Sequence, residues 1–247
     1  MTTETRGRWE RPMWMKAWAA VIVALFAVGA YLGLVWSPPD VNQGNLIRIM
    51  YAHVSIAWIG FVAVGFTALF AALFLWRSKR MDDVRAVASA EMALLFSSLT
   101  IIGGMTYSRP TLNTFWTWDA KLTLTALMVA LLVGYFIVRS LIDDPVRRGR
   151  VSAVVAIVVA ASLPFNYLAA EWFRTLHPSR SISLDGSGVT MAPEMLMTLL
   201  FNTFVAGLVY AWFMVDRVRL GRLEAQLEAE RQAHEAVPST EGGVVRV

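Results

Sequence analysis

The feature that most limits what this chain can fold into is the length of its apolar runs. Six stretches, about Ala17–Trp36, Ile49–Trp76, Ala86–Met105, Asp119–Val138, Val151–Ala170 and Glu194–Val215, stay predominantly apolar over helix-spanning lengths. A bilayer core about 30 Å thick takes roughly 20 helical residues to cross. The runs come as blocks, where an amphipathic soluble fold would show short periodic stripes. Charged residues make up 16% of the 247 residues, against about a quarter in a soluble domain. The expectation is an all-α integral membrane protein, a bundle of six transmembrane helices.

The placement of charge orients that bundle. Arg6, Arg8, Arg11 and Lys16 precede the first span, and Arg77, Lys79, Arg80 and Arg85 follow the second. Arg139, Arg147, Arg148 and Arg150 follow the fourth, and Arg217, Arg219, Arg222, Arg231 and Arg246 follow the sixth. That puts 17 of the 22 basic residues on one side, against Arg48, Arg109, Lys121, Arg174 and Arg180 on the other. Lys and Arg accumulate on the cytoplasmic side, so both termini are expected inside. The net charge of +4 follows from this asymmetry and carries no nucleic-acid signal. The chain divides into a cytoplasmic basic arm (1–16), a membrane domain (17–215) and a charged cytoplasmic tail (216–247). The tail continues the sixth span as a helix that is solvated or lies against a partner, and its end, "VPSTEGGVVRV", has the composition of disorder.

The first span follows a basic arm, as a signal peptide would, but a signal core runs to about 7–15 residues and this run is longer. Its Gly29-x-x-x-Gly33 spacing suits close helix packing, which favours retention. The chain has no cysteine, which excludes disulfides and thiolate chemistry. No glycine-rich phosphate loop occurs, so energised transport would need a partner subunit for ATP.

The inner loops are short and basic, with Asp144–Pro145 breaking a helix. The outer loops, "SPPDVNQGNLIR", "TYSRPTLNTFWTW" and "EWFRTLHPSRSISLDGSGVTMAPE", hold the chemistry. His53 lies 23 residues before Trp76 at the inner edge, about 34 Å at 1.5 Å per residue. His177 lies 26 residues beyond Val151 and comes out at or just past the same outer boundary, by about 39 Å. His234 is in the tail. Two histidines therefore share a depth on either side, in sequence, of "FWTWDAKLT" (115–123).

Neutral imidazole is a good axial ligand for haem iron. A haem also needs a flat apolar surface and cations for its propionates. Phe115, Trp116, Trp118, Tyr51, Trp58, Trp172 and Phe173 supply aromatic area, and Arg48, Arg109, Lys121 and Arg174 supply charge. Each feature has a plainer reading. Trp and Tyr gather at membrane interfaces in general, an interfacial histidine is commonly just hydrogen-bonded, and Lys121 can snorkel without a ligand. Asp119 fits the N-cap of the fourth span. Glu91, about two turns from Arg85, fits a structural ion pair near the inner interface although intramembrane acids are functional candidates by default. Pro164 should kink the fifth span, its freed carbonyl met by a neighbour.

"FWTWDAKLT" resembles the W-x-W-D-x-[RK]-x-[TS] half of the tryptophan-rich WWD signature of haem-handling proteins. Over about residues 15–215 the chain is similar to the cytochrome c maturation protein C family (CcmC, also called HelC). "RIMYAHVSIAW" resembles that family's first histidine segment and "WFRTLHPSRSI" its second. The resemblance implies a b-type haem held non-covalently on the outer face of the cytoplasmic membrane, with His53 and His177 as axial ligands. Trp116, Trp118 and Asp119 would form the core of the platform, with Phe115, Tyr107, Trp172, Arg109 and Lys121 around it. It implies delivery of haem to a periplasmic haem chaperone, with no bond chemistry of the chain's own. Its partners would be an ABC-type ATPase, a second membrane subunit and a small single-span helper.

The upstream half departs from the family's W-G-x-P-x-W-G-x-[WF]-W. Tyr107, Ser108, Leu112 and Asn113 stand at the first Trp, first Gly, second Trp and second Gly. Leu112 loses a ring, and Asn113 loses glycine's conformational freedom. Two other functions fit the composition. One is a larger-type relative that itself attaches haem to cytochrome c, against which three histidines count. The other is a non-haem transporter or assembly scaffold whose aromatics anchor it.

Overall fold

The computed structural model describes residues 9–173, 175–177 and 188–235, the last five of these by backbone alone. Arg6, Arg8, Arg174, Arg180, Arg246, the side chain of His234 and the end of the tail fall outside the described residues.

Among the described residues six long helices form: α1 (Met13–Tyr31, continued by a π-helical turn Leu32–Trp36), α2 (Arg48–Arg77), α3 (Arg80–Leu112), α4 (Ala120–Ser140), α5 (Pro145–Trp172) and α6 (Pro193–Glu235). Each contains a stretch long and apolar enough to cross a membrane. No strand occurs among the described residues. The expected all-α six-helix membrane fold is the one observed.

Helix α2 is the axis of the bundle, packing against α3, α5 and α6. Helix α4 fills the side between α3 and α5, and α1 lies outside, against α6. The α2–α3 hairpin is the tightest pairing. Ser78 takes a left-handed conformation (φ 51°) and its N–H closes on the Phe74 carbonyl at 2.7 Å. Two residues thus suffice to reverse the chain. Ala63, Ala71, Ala86, Ala90 and Ala93 are all buried, and such small side chains let helices approach closely in a membrane. Ser89 Oγ lies 2.9 Å from both the Ala63 carbonyl and the Tyr210 hydroxyl, so one side chain of α3 ties α2 to α6. Around it Ile59, Val64, Met92, Phe96, Met128, Leu132 and Val159 form the central cluster.

The glycines of α1 behave as their spacing suggests. A Cβ on Gly29 would stand 2.7 Å from Asn202 Oδ1, and one on Gly33 3.4 Å from the Tyr51 ring. Asn202 Nδ2 donates to the Gly29 carbonyl at 3.3 Å, and Trp212 Nε1 donates to the Met15 carbonyl at 2.9 Å. Helix α5 starts at Pro145, directly after the break read at Asp144–Pro145 and ahead of the expected span. The Asp144 carboxylate accepts the Arg147 N–H at 2.6 Å, with proline in the first turn, where its missing N–H costs nothing.

Three particulars differ from the sequence reading. Helix α3 runs on to Leu112 through Pro110, so half of the expected second outer loop is helical. A proline this near a C-terminus removes one bond, and Thr106 and Thr111 hydroxyls return to carbonyls four residues back. Glu91 does pair structurally, but with Arg217 (2.6 Å), while Arg85 takes Asp82 at 3.1 Å. The helical tail lies along the first turns of α3 in the same chain: Arg80 pairs with Glu228, and a Cβ on Gly221 would stand 2.7 Å from Val84. A cavity of about 310 Å³ opens at this basic end, walled by Asp83, Arg139, Arg148, Arg217 and Glu224.

Candidate functional site

The aromatic end is built around the seven residues joining α3 to α4. Asn113 ends α3 in the left-handed conformation (φ 55°). Asparagine tolerates that region better than most residues, and Arg109 holds it, donating to its carbonyl at 3.1 Å and to its side-chain oxygen. The position therefore keeps the geometry a glycine would take. The same guanidinium lies 5.5 Å from the centroid of Phe115.

Asp119 is the N-cap of α4. One carboxylate oxygen accepts the Leu122 N–H at 3.0 Å and the other accepts Thr117 Oγ1 at 3.2 Å. The N-cap expected from sequence is present, and it pins the turn on both sides. Trp116 and Trp118 consequently stand edge to face, centroids 5.7 Å apart at 80°. Trp118 is 84% exposed, whereas the Trp116 indole nitrogen is buried without a hydrogen-bond partner.

His53 sits in the second turn of α2, half-buried, with its ring against Gly103 and Gly104 of α3. Its Nδ1 is buried and unpartnered. His177 comes from the α5–α6 connection, its backbone N–H donating to Thr175 Oγ1 at 2.8 Å. His53 lies within electrostatic reach of both His177 and Lys121, so two imidazoles and one cation from three segments converge. Lys121 does not snorkel: its Nζ donates to the Asn166 carbonyl of α5 at 2.7 Å and lies 5.6 Å from the Phe61 centroid. Asn166 is fully buried, donates to Thr125 Oγ1 at 3.1 Å, and keeps Oδ1 unpartnered.

The remaining aromatics divide. Trp172 ends α5, 56% exposed and edge-on to Phe165. Tyr107 makes no ring contact with the tryptophan pair. It packs against the Ile47, Met50, Tyr51, Met195 cluster and donates to Gln43 Oε1. Tyr51, counted in sequence as aromatic surface, is buried and bonded to Ser37, while Arg48 is taken up by the Leu34 carbonyl. Both are structural. The sequence reading missed Gly103 and Gly104. A Gly-Gly pair inside an apolar run was visible, but nothing in sequence says which side chain it faces. No group of three or more His, Asp or Glu residues arranged for a metal occurs among the described residues.

A family model described as Heme exporter protein C matches residues 4–233. The chain is 31% identical over 189 residues to Heme exporter protein C of Bradyrhizobium diazoefficiens, covering 74% of this chain and 71% of that protein. It is 29% identical over 207 residues to that of Haemophilus influenzae, covering 83% of each. Against that of Escherichia coli K12 it is 32% identical over 167 residues, 66% of this chain and 67% of the relative.

Proposed function

The chain belongs to the Heme exporter protein C family, and from that premise we propose that it holds haem at its aromatic end and delivers it to a haem chaperone on the periplasmic side. The observation that carries the reading is that His177 and Lys121, from two other segments, both lie within electrostatic reach of His53.

The donor set suits a non-covalent b-type haem. His53 and His177 serve as its axial ligands, a pairing that imidazole supports well. Trp116, Trp118 and Phe115 offer ring faces to the macrocycle, with Trp172 at the rim. Asp119 holds that platform and has no proton-transfer duty. Arg109 and Lys121 face the propionates, and Lys121 exchanges the Asn166 carbonyl for one of them. Tyr107, held in the Ile47–Tyr51 cluster and bonded to Gln43, is left outside the ligand's contacts in this reading.

Delivery, as opposed to storage, is supported by exposure. Trp118 at 84% and Phe115 at 54% leave an edge of the bound macrocycle within reach of a second protein. The chain forms no covalent bond to the cargo in this reading. It carries no phosphate loop, so ATP is used by an ABC-type partner, working with a second membrane subunit and a single-span helper. The 17-to-5 partition of basic residues supports a site on the outer face of the cytoplasmic membrane.

The test is transfer. The full-length chain is expressed with its export partners and a haem chaperone in cells that lack the endogenous chain, and haem on the chaperone is measured by haem stain. The reading predicts loaded chaperone with the natural sequence and loss with His177→Ala. Chaperone loading that is equal without the chain would overturn it.

A further inference from the structure

We infer that Gly103 and Gly104 are the seat that sets the ring plane of His53 and leaves Nε2 as its iron-binding nitrogen. This rests on the haem reading above and adds to it two positioning residues and a ligating atom.

A Cβ on Gly103 would lie 3.1 Å from His53 Nδ1 and 3.6 Å from its Cβ. One on Gly104 would lie 3.2 Å from Cε1 and 3.9 Å from both Nδ1 and Nε2. The imidazole is thus laid across two successive residues of α3, and a methyl group on either would crowd it. Glycine is a poor helix former, and two in succession weaken a helix unless the missing Cβ is used. In this bundle the comparison is internal: Gly65 and Gly134 sit in apolar helices with nothing within 4 Å of a Cβ. Those two glycines have no neighbour to accommodate, whereas Gly103 and Gly104 have the same one.

The seat also distinguishes the two ring nitrogens. Nδ1 is sealed from solvent and makes no well-formed hydrogen bond, and the Thr100 backbone lies close enough to the ring to interact with it. A ligand cannot reach the sealed Nδ1 without lifting the ring off α3. Nε2 is the nitrogen that remains. The nearby Thr100 backbone gives Nδ1–H an acceptor to approach, the kind of outer contact that orients ligating histidines.

The experiment uses the full-length protein purified in detergent and titrated with ferric haem, read by absorbance. Gly103→Ala and Gly104→Ala should each weaken haem binding about 10- to 100-fold, the range typical of lost ligand orientation. They should also convert a six-coordinate spectrum to a five-coordinate one. Added imidazole should restore the six-coordinate spectrum in both, because it fills the position His53 has left. Gly65→Ala and Gly134→Ala should match the natural sequence. Wild-type affinity and spectrum in both seat variants would overturn the seat. If His53→Ala leaves the natural spectrum unchanged, the haem reading itself fails, and the two failures are told apart.

A second measurement needs no haem. In a cycle of Gly103→Ala, His53→Ala and the double variant, followed by thermal unfolding in detergent, the seat predicts that removing His53 relieves most of the destabilisation caused by alanine at 103. Equal destabilisation in both backgrounds would refute the contact, and the double variant reports even where the single one does not fold.

Discussion

Replacing Asp119 separates a structural cap from an acid. The carboxylate accepts Leu122 N–H at 3.0 Å and Thr117 Oγ1 at 3.2 Å. Losing an N-cap to alanine costs about 1 kcal/mol, and losing a second hydrogen bond about another 1 kcal/mol. If the loop spends that about 2 kcal/mol on reordering when haem binds, Asp119→Ala weakens haem affinity about 30-fold, at 1.4 kcal/mol per tenfold. Asparagine is as good an N-cap as aspartate and gives up the charge, so Asp119→Asn should lose only about threefold, the share of the helix-dipole interaction at roughly 0.3–1 kcal/mol. The assay is a haem titration of the three detergent-purified proteins at one pH. Equal damage from alanine and asparagine would refute the cap account and point to the carboxylate's charge or proton. No damage from alanine would show that the platform does not depend on the turn.

Tyr51→Phe should cost about 1 kcal/mol of stability through the lost Ser37 bond while haem affinity stays unchanged, because the ring is buried on the far side of α2; a drop in affinity would return Tyr51 to the site. Glu91→Gln leaves Arg217 without its carboxylate, and because both side chains are about a third exposed (27% and 34%) the loss should be about 1–2 kcal/mol, below the 3–5 kcal/mol of a fully buried pair, read as a lower thermal midpoint with the haem spectrum intact. Gly29→Val should force Asn202 out of α1 and cost about 1–3 kcal/mol through overpacking. An unchanged midpoint would place α1 off α6.

What could be read in the sequence was what depends on neighbours along the chain. The six spans follow from run length, and the Asp119 cap follows from an acid at the start of a helix, because a cap is satisfied three residues away. The end of α3 could not be placed so well, since "SRPTLN" has a loop's composition and the helix nevertheless runs through Pro110 to Leu112, where Arg109 bonds the Asn113 carbonyl. Asn113 looked like a loss of conformational freedom, yet it occupies the left-handed position itself. Partners distant in sequence were out of reach. Glu91 could have met several arginines, and Tyr51 could have faced the ligand or the core. Tertiary packing decides such cases. The Gly103–Gly104 pair is the sharpest instance: its meaning lies entirely in the histidine that α2 lays against it.

The central claim is that His53 and His177 share one iron. The direct measurement is the low-temperature electron paramagnetic resonance spectrum of the ferric haem-loaded protein, in the natural sequence and in His53→Ala and His177→Ala. The account predicts a low-spin bis-imidazole signal that each single substitution converts to high spin or abolishes. Retention of the same low-spin signal and haem content in both variants would contradict it.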